Sequence, residues 1–213
     1  MPLFAVHISD GVLSDATVAL GFVGAALLLA PALYRVRDEE ISRIALLTAA
    51  FFVSSSIRVP FGPTTVHLLL NALVGVTLGR RAPLAIAVGL LLQVLLLAHG
   101  GFTTLGINMV VITLPALLAG IIFRALLGAH PTRRRAVCVG AVIGWFTVIL
   151  TAGLNAAVLV IGGKYDWTII AAPQFVIYVF LGFVEGMILG VTAGYLVRVK
   201  PELLRLKQSR PQM

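Results

Sequence analysis

Seven apolar runs, separated by short polar interruptions, leave this chain few ways to fold. They cover approximately residues 16–34, 44–57, 66–79, 82–98, 107–127, 136–162 and 168–197. A helix crossing the hydrocarbon core of a bilayer needs roughly 20 apolar residues. Runs of this length and number, in a chain of 213 residues that is 60% apolar and 11% charged, exclude a soluble globular domain and a disordered one. The expected fold is all-α: a polytopic membrane helix bundle of about seven transmembrane helices forming one transmembrane domain over 1–213. The runs 44–57 and 66–79 are short for a span, so they either borrow flanking residues or form a re-entrant pair. No length is left for an ATPase or a soluble catalytic domain, so energy for any transport step has to come from a partner or an ion gradient.

The charges fix an orientation. With seven crossings and the N-terminus outside, fourteen of the sixteen basic residues fall on the inner side, among them Arg35, Arg37, Arg43, Arg80, Arg81, Arg124 and Arg133 to Arg135; Arg58 and Lys164 fall outside. Such asymmetry is a positive-inside pattern, which sets the orientation of a membrane protein. Residues 198–213 then form a basic cytoplasmic tail against anionic lipid. Net charge is +8, but the basic residues lie in short loops rather than on a folded basic face, so nucleic acid is excluded as a partner. Cys138 is the lone cysteine, which rules out an intrachain disulfide and a cysteine-based zinc cluster. It is expected to pack inside the bundle. A cleavable signal peptide is not expected, because His7, Ser9 and Asp10 interrupt the short apolar start.

The orientation gathers His7, His67 and His99 at the outer side and sends His130 to the inner loops. His7 stands in His7-Ile8-Ser9-Asp10-Gly11. A histidine directly after a free amine chelates strongly through amine, backbone nitrogen and imidazole, and a second imidazole completes a four-nitrogen set suited to Ni(II), Cu(II) or Co(II). Val6 offers that amine if the chain initiates there, which is the start expected for residues 1–15 to serve as a metal-binding segment. His67, after the breakers Pro60, Gly62 and Pro63, is expected to open an apolar helix. It is either the second imidazole or an interfacial cap. His99-Gly100-Gly101-Phe102-Thr103-Thr104-Leu105-Gly106-Ile107-Asn108 combines flexible glycines with polar side chains. His99, Thr103 and Asn108 are expected to support a metal-bound histidine from behind, or simply to close a polar turn. Glu185, acidic within an apolar run, is a buried hydrogen-bonding group or a proton-linked one. Phosphate-binding glycine motifs and the zinc-protease motif are absent. Ser54-Ser55-Ser56 lacks the glycine-flanked elbow of a hydrolase nucleophile.

Glycines also form ladders. Gly182, Gly186, Gly190 and Gly194 recur at four-residue spacing, as do Gly75 with Gly79 and Gly140 with Gly144. The spacing lets helix backbones approach closely, inside the bundle or against a partner membrane protein.

The N-terminal His-Ile-Ser-Asp-Gly, the stretch from His67 to Ala82 and the stretch from Ala98 to Asn108, taken in order, resemble the CbiM/NikM family, the substrate-binding components of energy-coupling factor transporters for cobalt and nickel. The resemblance is clear through about residue 125 and looser beyond. It implies an outward-facing site for Co(II) or Ni(II) with Val6, His7 and His67 as ligands, supported by His99 and Asn108. It also implies a membrane coupling (T) protein, cytoplasmic ATPase subunits and, in the cobalt case, a small accessory membrane subunit. The transported metal is cargo, no cofactor is expected, the chain itself is not an enzyme, and the uptake serves cobalamin biosynthesis in the cobalt case. Ala45 and Ala49 match a small-residue contact for the coupling protein. Tyr178 stands where the family leads one to expect histidine. Two rival functions fit the residues: a proton-coupled secondary transporter using Glu185, and an intramembrane metallohydrolase.

Overall fold

The computed structural model describes residues 7–57, 59–61, 64–128, 131–166 and 168–204. Helices α1 (Asp15–Leu33) and α2 (Asp38–Ser56) come first. A short antiparallel hairpin of β1 (Val59–Phe61) and β2 (Thr64–Val66) follows, with Val59 opposite Val66. Then come α3 (Asn71–Leu78), α4 (Ala82–Leu97), α5 (Leu105–Leu127), α6 (Arg133–Gly162) and α7 (Thr168–Val199). Short 3₁₀ turns occupy Gly79–Arg81 and Pro201–Leu204.

Local chemistry explains several boundaries. Ser14 caps α1 by accepting the Thr17 N–H, and Thr132 caps α6 by accepting the Arg135 N–H. Asp38, Glu39 and Glu40 sit in the first turn of α2, where the helix dipole favours negative charge. The turn between α3 and α4 reverses at Gly79, whose φ of 53° suits glycine.

Contacts fix the direction of each element. Ile107 and Val110 of α5 pack on Gly21 and Gly24 of α1, so α1 and α5 run parallel. Asn71 meets Ile112, and Gly75 meets Ala116, so α3 runs the same way. Glu40 meets Arg81, Phe51 meets Gly89 and Ser55 meets Gln93, so α2 and α4 run together in the opposite direction. Gly140 meets Gly190 and Gly144 meets Gly186, which makes α6 and α7 antiparallel. One end of the bundle therefore holds the N-terminal segment, the loop before α3 and the turn after α4. The other end holds the α1–α2 turn and Gly79–Arg81.

The sequence anticipates seven apolar runs, of which 44–57 and 66–79 are short for a span. Among the described residues, five stretches are by length and composition apolar enough to cross a membrane: Asp15–Leu33, Asn71–Leu97, which the turn at Gly79 divides into α3 and α4, Leu105–Leu127, Arg133–Gly162 and Phe175–Val199. Helix α2 begins with too many charges for its length, and α3 has only eight residues. The expectation that His67 opens a helix is corrected. Residues 67–70 are irregular and α3 starts at Asn71, because the left-handed Leu70, with φ of 47°, separates them.

The surface is apolar where lipid would lie. Leu20, Leu27, Phe180, Phe183 and Met187 are exposed, whereas Asn71, Gln93, Thr113 and Glu185 are buried. This inversion suits a bilayer, in which the polar groups have to be satisfied inside the bundle. The α7 ladder packs inside the bundle against α6: a Cβ on Gly144 would lie 2.7 Å from the Gly186 Cα, and one on Gly140 would lie 2.9 Å from the Gly190 Cα. Cys138 is exposed on α6 rather than packed, against expectation.

At the end away from the histidines, Arg81 is almost wholly buried and binds the carbonyls of Ala32 (2.6 Å), Tyr34 (2.9 Å) and Arg35 (2.6 Å) and both oxygens of Glu40. It thereby stitches the end of α1 and the start of α2 to the turn before α4. The Arg81 hydrogen bonds hold the Glu40 carboxyl down at about 2.

Candidate metal site

Three segments far apart in sequence deliver one imidazole each. His7 arrives on the N-terminal segment, His67 on the irregular stretch after β2, and His99 on the turn after α4. All are buried, at 3%, 2% and 7% relative exposure. The ring of His7 lies 5.0 Å from that of His67 and 4.5 Å from that of His99, and His67 to His99 is 5.0 Å, centroid to centroid. One nitrogen from each ring falls within 4.8 Å of the others. That spacing brings the three rings near enough for small side-chain shifts to let them share one ion, whose bonds to imidazole nitrogen are about 2 Å.

The N-terminal segment is fixed through Ile8. The Asn108 side chain makes a paired contact with its backbone: Oδ1 accepts the Ile8 N–H at 2.9 Å, and Nδ2 donates to the Ile8 carbonyl at 2.9 Å. Thr104 Oγ1 donates to the same carbonyl at 2.6 Å. The Ile8 side chain is buried with Leu13, Ile107, Val111 and Leu159. Anchoring residue 8 on both its backbone groups and its side chain leaves His7 little freedom.

Asp10 holds the other partner of this junction. Its carboxylate accepts the N–H groups of Phe102 (3.2 Å) and Thr103 (2.8 Å) and the Thr103 hydroxyl (2.5 Å). Partial burial works to raise its carboxyl, but the hydrogen bonds from Thr103, Phe102 and Thr104 outweigh it and hold the group below its ordinary value. Two backbone features shape the turn. Ala98 and Gly100 adopt positive φ (48° and 82°), and a Cβ on Gly101 would strike the Asp10 carboxylate.

On the other side, His67 Nδ1 lies 3.2 Å from the Leu68 carbonyl. The N–H groups of Leu69 and Leu70 donate to the Glu185 carboxylate from α7, the latter at 3.0 and 2.9 Å. Asn71 then bonds the Ile112 carbonyl (3.2 Å) and the Thr151 hydroxyl (2.9 Å), fixing the start of α3 between α5 and α6.

The residues singled out from the sequence divide as follows. His7, His67 and His99 converge, one ring nitrogen of each lying within 4.8 Å of the others. Asn108 supports the backbone next to His7, and Thr103 serves Asp10. Val6 and His130 lie outside the described residues. Thr104, polar in the same stretch as Thr103, holds the Ile8 carbonyl, whereas the roles of Asp10 and of the Glu185 contact were missed. Asp10 carried a local signal, an acid before Gly11 and three residues after His7, whereas nothing in the spacing pairs residue 185 with residues 69 and 70. The serines of α2 spend their hydroxyls on helix carbonyls: Ser54 and Ser55 donate to Phe51 (3.0 and 2.8 Å) and Ser56 to Phe52 (2.7 Å).

Chemically, three neutral imidazoles bind a borderline divalent ion with one or more positions left for further nitrogen or for water. That donor set by itself serves zinc hydrolysis as well as metal capture, so the comparisons with known proteins bear on the choice. Residues 7–203 match the family described as "CbiM: Cobalt uptake substrate-specific transmembrane region". A protein of Haemophilus influenzae named for metal transport is 38% identical over 160 residues, covering 75% of this chain and 78% of that one. The cobalt transport protein CbiM of Geobacter sulfurreducens is 33% identical, over 95% of this chain and 62% of its own length. A solved structure of a transition metal transporter shares the fold at TM-score 0.73, with 23% identity and coverage of 92% of this chain and 93% of that one.

Proposed function

Because this chain belongs to the CbiM cobalt-uptake family of membrane proteins, we propose that it is the metal-capturing subunit of an importer for Co(II) or Ni(II), with His7, His67 and His99 as ligands. The reading rests on the convergence of three buried imidazoles from three separate segments. Donation from His67 Nδ1 to the Leu68 carbonyl selects the tautomer that presents Nε2 to the ion. Asn108 and Thr104 hold Ile8, so that His7 enters the site in one pose. The amine of Val6, as initiator, supplies the further nitrogen.

The histidine end faces outward and the Arg81 end faces the cytoplasm of a bacterial inner membrane, as the distribution of basic residues supports. The chain makes and breaks no covalent bond. Separate cytoplasmic ATPase subunits, acting through a membrane coupling protein, drive release inward, with a small accessory membrane subunit and cobalamin synthesis downstream in the cobalt case. Ala45 and Ala49 lie on the exposed side of α2, open to such a partner.

The test is a titration of the purified chain with Ni(II) and with Co(II). One site per chain is expected, with binding collapsing in His67→Ala and in His99→Ala. Unchanged affinity in both variants refutes the ligand set. Metal uptake by the chain alone in vesicles, driven by a proton gradient, replaces the importer subunit with a secondary transporter.

A further inference from the structure

We propose that Glu185 is a positioning residue for metal capture, holding His67 in place through the backbone of Leu69 and Leu70. The inference rests on the reading of His67 as a ligand. Residues 67–70 belong to neither β2 nor α3, and although the Leu70 carbonyl accepts the Val74 N–H at 3.0 Å, no ladder or helical bond takes up the N–H groups of Leu69 and Leu70. Leu70 adopts the left-handed conformation (φ 47°, ψ 14°), which L side chains rarely hold without outside support. That support comes from α7. The buried Glu185 carboxylate accepts the N–H groups of both Leu69 and Leu70. Leu70 is the N-cap of α3, where free N–H groups attract negative charge, and Leu69 directly precedes it.

The ion pairs found among the described residues involve other groups. The Glu185 carboxylate is spent on the amides two and three residues after His67, whose imidazole is stacked 5.0 Å from that of His7. Glu185 is itself held where α6 and α7 pack closely. A Cβ on Gly144 would lie 3.0 Å from the Glu185 carbonyl and 2.7 Å from the Gly186 Cα, and one on Gly182 would lie 2.8 Å from the Trp145 ring. With no slack between the helices, the carboxylate has a fixed position from which to place the loop. A carboxylate offers two acceptor oxygens to consecutive amides. Glutamine offers one and alanine none.

The experiment is a Ni(II) titration of the full chain, with the ligand-field spectrum of the bound ion recorded. Wild type, Glu185→Gln, Glu185→Ala, His67→Ala and the double variant His67→Ala/Glu185→Gln are compared. Loss of support behind a metal ligand lowers affinity by about 10–100-fold, so a loss of that size is expected in Glu185→Ala. A smaller loss is expected in Glu185→Gln, together with a shifted spectrum. In the His67→Ala background, Glu185→Gln is expected to change the residual affinity by no more than about twofold. Equal losses in both backgrounds, or a Glu185→Gln protein with wild-type affinity and spectrum, overturn the proposal. If Glu185→Ala does not fold, the near-isosteric Glu185→Gln decides it. If His67→Ala binds Ni(II) as wild type does, the ligand reading itself fails, an outcome distinct from failure of the Glu185 role.

Discussion

Truncating Asn108 to alanine tests how the N-terminal segment is presented to the metal. The side chain is 3% exposed and makes two hydrogen bonds of 2.9 Å to the Ile8 backbone. In Asn108→Ala the Ile8 N–H loses the acceptor that Asn108 supplied, whereas the Ile8 carbonyl keeps the Thr104 hydroxyl at 2.6 Å. A buried donor left unsatisfied costs about 2 kcal/mol and the second lost bond about 1 kcal/mol, or about 3 kcal/mol against the docked segment. If metal binds only when the segment is docked, apparent affinity falls with the docked fraction. At 1.4 kcal/mol per tenfold, the loss reaches about 100-fold. Thr104→Val removes a single bond whose acceptor keeps Asn108, so about 1 kcal/mol and about fivefold are expected. The assay is competition of each variant with a chromogenic Ni(II) chelator. Asn108→Ala binding as tightly as wild type, or Thr104→Val weakening binding more than Asn108→Ala, refutes the reasoning.

Three further outcomes are expected. Imidazoles bind metal only when neutral, so Ni(II) affinity should fall as pH drops, steeply below the ordinary histidine range near about 6.5; a titration series that stays flat from about pH 7.5 to 5 contradicts histidine ligation. Gly75→Ala places a Cβ into the Ala116 backbone carbonyl, while Gly153→Ala meets nothing nearer than a Phe175 ring carbon at 3.7 Å. Overpacking costs about 1–3 kcal/mol, so the first should lower the melting temperature and the second should not, and equal melting temperatures contradict the packing. In Glu40→Gln, Arg81 loses its carboxylate but keeps three carbonyls, for a cost of about 2 kcal/mol at neutral pH. The folded Glu40 carboxyl titrates at about 2 against an ordinary 4.5. Its contribution is therefore complete above the ordinary value and disappears as pH falls through that window. Melting curves of variant and wild type should converge in acid, and a gap independent of pH contradicts the pairing.

Much of the helical architecture is legible in the sequence because lipid demands long apolar runs. The run 107–127 appears as Leu105–Leu127, and 136–162 appears as Arg133–Gly162. The stretch 66–79 is less legible. Its apolar residues cover an irregular segment, a left-handed Leu70 and the short α3, and hydropathy does not distinguish these. The gathering of three histidines was visible from charge asymmetry, which sorts them to one side without giving distances. Asn108 was found, but its partner was not, because the partner is backbone: the amide and carbonyl of Ile8 carry no sequence signal. The same holds for Glu185, whose partners are amides of Leu69 and Leu70 more than a hundred residues away. Cys138 is exposed although it stands in an apolar run, because the outer surface of a membrane helix is apolar too, so an apolar neighbourhood alone did not mark burial.

X-ray absorption at the nickel edge, on the full chain loaded with one equivalent of Ni(II), tests the central claim most directly. A nitrogen-dominated first shell is expected, with outer-shell scattering from three imidazoles that drops by one ring in His99→Ala and by one in His67→Ala. An oxygen-dominated shell, or imidazole scattering unchanged by both substitutions, would contradict capture by His7, His67 and His99.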